Sequence, residues 1–235
     1  MEVTGGTYKA TGQDCAVLYS TGELTVNNIT GSSAQGEIGV IEGDNHIIIN
    51  NSDLTSGAGS SSRGLMILQS GSGDAGSGTN GVITVTGGSL TMTGDAAPLV
   101  EIVTNVKGQV TLDGVATTIP SGVLMKVDYN TRWSTYGATG VLILSGSGTT
   151  YAGGIVADKY SSAQVTVNSG VTWKGAFDTA ATARSSSLTL DGGTWTLTGN
   201  SHVGSITLTN GATINKNGYT LAYDSLTDTS GTINE

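Results

Sequence analysis

The chain has 235 residues, a formal net charge of −9, 37 glycines, two prolines and one cysteine. The acidic balance argues against nucleic acid and anionic membrane surfaces as partners, and a lone thiol excludes both an internal disulfide and a cysteine metal site. An apolar share of 37%, mostly Val, Ile and Leu set among Thr, excludes a disordered linker and favours half-buried strands over helices.

The chain opens on VTGGTYKATG (3–12), read as a strand end, a Gly turn and a second short strand. The apolar run CAVLY (15–19) follows, and within it Cys15 is expected to be a buried structural thiol. No basic segment and no apolar leader precedes the repeat, so the sequence is expected to be a fragment of something longer. ELTV, IGVIE, HIII and GLMIL come next, all far too short to span a membrane. Then GVITV, LTMT, LVEIV, GQVTL, VLMKV, VLIL, GIVAD, AQVTV, SLTL, TWTL, SITL and ATIN continue the series to the end of the chain. The alternation in ELTV, AQVTV and SLTL turns Leu24, Val26, Val165, Val167, Leu188 and Leu190 inward, and Thr25, Thr166 and Thr189 outward.

These elements keep a ruler. The apolar residue before each turn signal is Val3, Val26, Ile49, Val85, Leu112, Leu144, Val167, Leu190 and Leu208, at spacings of 23, 23, 36, 27, 32, 23, 23 and 18. The 36-residue interval holds QSGSGDAGSGTNG (69–81), and removing it restores 23; the 32-residue interval holds DYNTRWSTYG (128–137). After each ruler residue comes a pair such as Asn-Asn, Asp-Gly or Thr-Gly, where Asn or Gly accepts positive φ. A fixed period with short strands and no helical pattern predicts an all-β solenoid, a parallel β-helix. About ten rungs of about 23 residues, three short strands each, stacked at ~4.8 Å, make a rod roughly 45–50 Å long. A β-sandwich is the competing fold, but it would not hold the register. The decapeptide recurs as VTGGSLTMTG (85–94) and LDGGTWTLTG (190–199), and Tyr8, Leu90 and Trp195 are expected to fill one corner of the core.

Chemistry is thinly represented. Polysaccharide hydrolases and lyases need facing carboxylates or an acidic calcium cluster, and here the acids are scattered about one per rung. His46 and His202 lie 156 residues apart and read as surface residues. GDAGSG (73–78) places Ala75 where a serine nucleophile would stand, within a Gly/Ser loop. The outward threonines are interrupted by Ile48 and Ile143, so they read as strand-favouring surface rather than an ice-binding array. No catalytic residue, metal or cofactor is expected. Two groups are candidate binding residues. One is the insertion, with Tyr129, Arg132, Trp133 and Tyr136, types that stack on sugars or anchor interfaces; the competing expectation is that these rings pack back on the rod. The other is Tyr19, Glu42, Glu101, Asp128 and Tyr160, each sixteen residues beyond a ruler residue, which would form an acidic column on the third strand.

The tail SSLTLDGGTWTLTGNSHVGSITLTNGATINKNGYTLAYDSLT (186–227) resembles the end of a bacterial autotransporter passenger of the self-associating or adhesive, pertactin-like type. The likeness is carried by Trp195, Leu197, Gly199, Ser201, Val203, Ile206, Leu208, Gly211 and Ile214, and over the rest of the chain it is one of general style. It implies a right-handed β-helix as a single domain over 1–235, with 186–235 as autochaperone-like rungs. It also implies a longer precursor with a signal peptide and a C-terminal membrane barrel, displayed on the bacterial surface. The expected function is a non-catalytic adhesin segment attaching to host matrix protein or glycan, or to its own copies in aggregation and biofilm. The alternatives are a stalk presenting a distal domain and, further off, a polysaccharide-active enzyme.

Overall fold

The computed structural model describes residues 1–57, 63–69, 80–130 and 136–235. The regular elements among these residues are β-strands, and they pair in parallel as a solenoid of about nine turns. The first sheet has ten strands, from Glu2–Thr4 to Leu221–Asp228. Ten strands at ~4.8 Å give a rod of about 43 Å. The nine ruler residues form one column, Val3 on Val26 on Ile49 and so on to Leu208. All but Val3, on the end rung, are fully buried. The second inward column, from Leu24 through Ile83 and Val110 to Ile206, is equally buried, and the threonines between them face out. Burying one such side chain is worth about 1.5–3 kcal/mol, so two per rung hold this wall closed.

Eight of the nine ruler positions are followed by the same backbone device at the corner, and after Val167 the positive φ falls one residue later, at Gly170. Two residues after the ruler position the chain enters the left-handed region at Gly5, Asn28, Asn51, Gly87, Gly114, Gly146, Gly192 and Asn210. The paired glycines of the decapeptide have separate tasks. Gly192 supplies the positive φ, while Gly193 leaves room for the Val167 side chain and carbonyl of the rung below. Gly88 does both, since its φ is +69° and a methyl there would run into the Ser52 backbone. Gly88→Ala is therefore expected to cost about 2 kcal/mol or more, read as a lowered urea midpoint with an unchanged slope. The stacked turns also bond to one another: Asn50 Nδ2 donates to Asn27 Oδ1 at 2.8 Å, and Asn168 Nδ2 to Ser145 Oγ at 2.7 Å.

The second strand position is shared by two five-stranded sheets, Thr7–Gln13 to Ala116–Thr118 and then Thr150–Ala152 to Thr232–Asn234. In the latter, Tyr151, Trp173 and Trp195 stack in register, with the two indoles 4.9 Å apart and 6° from parallel. Their polar atoms are satisfied: Trp173 Nε1 donates to Gly153 O at 2.9 Å, Trp195 Nε1 to Gly175 O at 3.0 Å, and Tyr151 Oη to Ser145 O at 3.0 Å. Leu90 and Trp195 fill the core corner as expected, but Tyr8 does not. It stays 42% exposed, and donates its hydroxyl to Gly5 O.

The third sheet has six strands, from Leu18–Ser20 to Gly154–Ala157. Beyond Ala157 the third strand shrinks to a single bridge, Ile155 to Phe177. Asp178, buried at φ +43°, then gathers the next turn, its carboxylate accepting from Thr182 N, Thr182 Oγ1 and Ala183 N. The last rungs thus carry two strands each instead of three. Cys15 also departs from expectation. The strand begins only at Leu18, so the thiol lies in the preceding turn and is exposed.

Candidate functional site

The outer face of the third sheet differs from every other wall of the rod. Two outward columns run along it. One is Tyr19, Val40, Met66, Glu101, Lys126 and Val156; the other is Glu42, Leu68, Val103 and Asp128. The expected single acidic column is therefore not formed. Tyr19 and Glu101 fall in the first, Glu42 and Asp128 in the second, and Tyr160 lies past the end of its strand. The reason is the variable link between second and third strands. Val156 follows its ruler residue Leu144 by twelve residues, and Met66 follows Ile49 by seventeen.

Between the acids the face is apolar. Val40, Met66, Leu68 and Val103 form a second cluster outside the main core, with Ala16 packed against it. Met66 and Leu68 point away from the rod axis yet are each only 4% exposed. Beside them lies a groove of about 470 Å³, floored by Val40, Met66 and Leu68 and edged by Asp14, Glu37, Glu42 and Arg63.

A charge network closes one end of this face. Glu101 is buried between two cations: one carboxylate oxygen is held by Arg63 Nε, the other by Lys126 Nζ at 3.1 Å. Lys126 also reaches Asp128 at 2.6 Å, and Arg63 comes within 3.9 Å of Glu37. Burial pushes the Glu37 carboxyl above the usual carboxylate range, against the pull of its backbone hydrogen bond and Arg63. Burial likewise raises Asp128, whose Oδ1 accepts no hydrogen bond among the described residues. For Lys126, burial favours loss of the proton, but Asp128 and Glu101 outweigh it and hold the ammonium above its ordinary value.

These directions give a pH dependence. A carboxyl raised on folding contributes stability that is full below its unfolded value and is lost as pH rises through its folded one. Glu37→Gln removes that loss. Its urea midpoint relative to the parent is expected to be more favourable at pH 7 than at pH 4, and a difference that is flat or reversed would show that burial does not govern Glu37.

The insertion residues divide. Tyr129 meets Tyr160 edge-on at 4.5 Å, and Asp158 ties both by accepting from Tyr129 N and Tyr160 N at 3.0 Å. Lys159 lies 5.0 Å from the Tyr160 ring. This places Tyr129 against the rod, while Tyr136 is 68% exposed. Arg132 and Trp133 lie outside the described residues. His46 and His202 sit on the first sheet, 4.0 Å from Glu23 and 3.8 Å from Asp224 respectively. Among the described residues no three His, Cys, Asp or Glu side chains gather to hold a metal.

No protein-family model, curated protein or solved structure matches the chain. The site therefore has to be read from its own geometry. Both insertions found in the sequence begin where a third-sheet strand ends, after Leu65–Leu68 and within Val123–Asp128, and both lead to the next first-sheet strand. The strand ends that anchor both insertions thus belong to the sheet that carries the groove. The sequence did carry a signal for it. LMIL has no alternation, and VEIV has only one polar residue, the mark of a strand buried on both faces.

Proposed function

We propose that the chain is a non-catalytic binding rod, the β-helical part of a bacterial autotransporter passenger. It would be displayed outside the cell by a longer outer-membrane-anchored precursor and attach to host matrix protein or glycan, or to further copies of itself. The observation that carries this reading is the apolar cluster and groove on the one sheet whose strand ends anchor both insertions. Val40, Met66 and Leu68 occupy the outward phase of the sheet yet are buried, so this wall carries a covered apolar layer where a plain water-facing wall would carry polar residues. The acids there support binding over hydrolysis, because Glu101 and Asp128 are engaged by Arg63 and Lys126 rather than set facing each other across a cleft. The repeating rungs and the tail resemblance support the passenger assignment, and display in many copies would let weak contacts add.

The second reading, a stalk for a distal domain, is favoured by the last rungs, where two-strand turns follow one another without insertions. Cells displaying the full passenger separate the two. With 128–137 removed, adhesion to matrix- or glycan-coated surfaces, or clumping, is expected to fall severalfold while surface display is unchanged. Undiminished adhesion would favour the stalk.

A further inference from the structure

We propose that Thr104 is a positioning residue: with Asn105 it braces both feet of the 128–137 insertion and fixes where that segment leaves and rejoins the rod. This goes beyond the binding reading and rests on it only for the effect on adhesion. The corner between a third-sheet strand and the next first-sheet strand is built alike below the two insertions. Glu42 pairs with Leu68, and Val103 with Asp128. The residue after each, Gly43 or Thr104, enters the left-handed region, at φ +71° and +59° respectively. Each donates its N–H to the carbonyl of that partner, Gly43 to Leu68 O at 3.0 Å and Thr104 to Asp128 O at 3.1 Å. Both carbonyls stand where an insertion begins.

Gly43 meets the backbone demand with no side chain to oppose it. Thr104 meets it with a β-branched side chain, which is strained at positive φ, and a second left-handed residue follows, Asn105 at +55°. What Thr104 adds over glycine is its hydroxyl. Thr104 is fully buried, and its Oγ1 accepts from Asn130 N at 2.8 Å. Asn105 N donates to Gly137 O at 3.2 Å, at the far end of the insertion. One strained dipeptide thus ties down the entry and the exit together. The rung above closes on the same feet: Asp158 accepts from Tyr129 N at 3.0 Å, and Ser161 Oγ from Ala138 N at 3.2 Å. Backbone strain persists where surrounding bonds over-determine it, and feet held from two rungs lower the ordering entropy that binding through the insertion would cost.

Residue-resolved hydrogen exchange on the whole chain tests the brace. Thr104→Gly relieves the positive φ and deletes the hydroxyl, whereas Thr104→Ser keeps the hydroxyl. In Thr104→Gly the Asn130 amide is expected to exchange about tenfold faster than in the parent, while Val100–Val103 keep parent rates. Thr104→Ser should protect Asn130 as the parent does. An Asn130 amide unprotected in the parent, unchanged Asn130 exchange in Thr104→Gly, equal acceleration in Val100–Val103, or a Thr104→Ser variant as fast as Thr104→Gly would each overturn the proposal. Adhesion of cells displaying the full passenger to collagen or mucin surfaces, or their clumping, is expected to fall severalfold with Thr104→Gly and to be kept with Thr104→Ser. Faster Asn130 exchange with undiminished adhesion keeps the brace and removes the insertion from the binding reading. Lost adhesion with parent-like Asn130 exchange overturns the brace and leaves that reading standing.

Discussion

Replacing Trp195 with alanine is expected to cost about 3–5 kcal/mol and to loosen the last rungs before the rest of the rod. Trp195 is fully buried, stacks on Trp173 from the rung below and pairs with Ile214 on the rung above. Its removal leaves a cavity spanning one rung spacing, deprives the Trp173 face of its partner, and leaves the Gly175 carbonyl with only the 3.3 Å bond from Thr198 N. Because each rung touches only its neighbours, the damage should stay local. Hydrogen exchange should accelerate in Thr194–Leu197, Ser201–Thr209 and Thr213–Asn215, while Leu65–Leu68 and Val100–Val103 keep their protection. Trp195→Phe, which keeps a ring but not the indole donor, should give a smaller loss. Uniform acceleration along the whole chain would contradict a rod stabilised rung by rung.

Glu101→Ala is expected to cost about 3 kcal/mol, the lower end of what breaking a buried ion pair costs. The lower end applies because Lys126 keeps Asp128 and Arg63 keeps Glu37 as partners. What remains is one guanidinium and one ammonium left against an apolar patch. Replacing Arg63, Glu101 and Lys126 together with methionine, with Glu37→Gln and Asp128→Asn so that no buried carboxylate is left without its cation, should restore most of that stability, since the three methionines would extend the cluster of Val40, Met66 and Val103. If this combined variant were as unstable as Glu101→Ala, the network would be needed for more than charge balance. Urea denaturation of the three proteins measures this directly.

The first sheet was legible from the sequence because its two signals agree. Alternation sets which side chains go inward, and a left-handed Gly or Asn two residues after the ruler position sets where the chain turns. Both are local, so insertions elsewhere in a rung do not disturb them. The third sheet was legible as apolar runs but not in register. Its phase depends on how many residues link it to the second strand, and so the offset of its outward column from the ruler residue varies from twelve to seventeen. An equal offset therefore put Glu101 and Asp128 in one expected column, whereas Glu101 pairs with Lys126. Cys15 was misplaced by counting an apolar window as a strand, when its first three residues precede the strand. Tyr8 was misplaced because a periodic pattern gives its phase but not its rotamer, and its hydroxyl turns back to Gly5 O. The groove was missed for a different reason. Val40, Met66 and Leu68 read as more core, and only their pairing shows that they occupy the outward phase.

The central claim is that binding belongs to the third-sheet flank and not to the long first-sheet face. Adhesion of beads carrying the parent protein, the Asp14→Asn/Glu42→Gln variant, or a Thr166→Lys/Thr189→Lys variant tests it most directly. The two threonines face outward on the first sheet, far from the groove lining. The account predicts that the groove variant loses most of its adhesion, to matrix or to like beads, while the first-sheet variant keeps it. Loss in the first-sheet variant with full retention in the groove variant would contradict it.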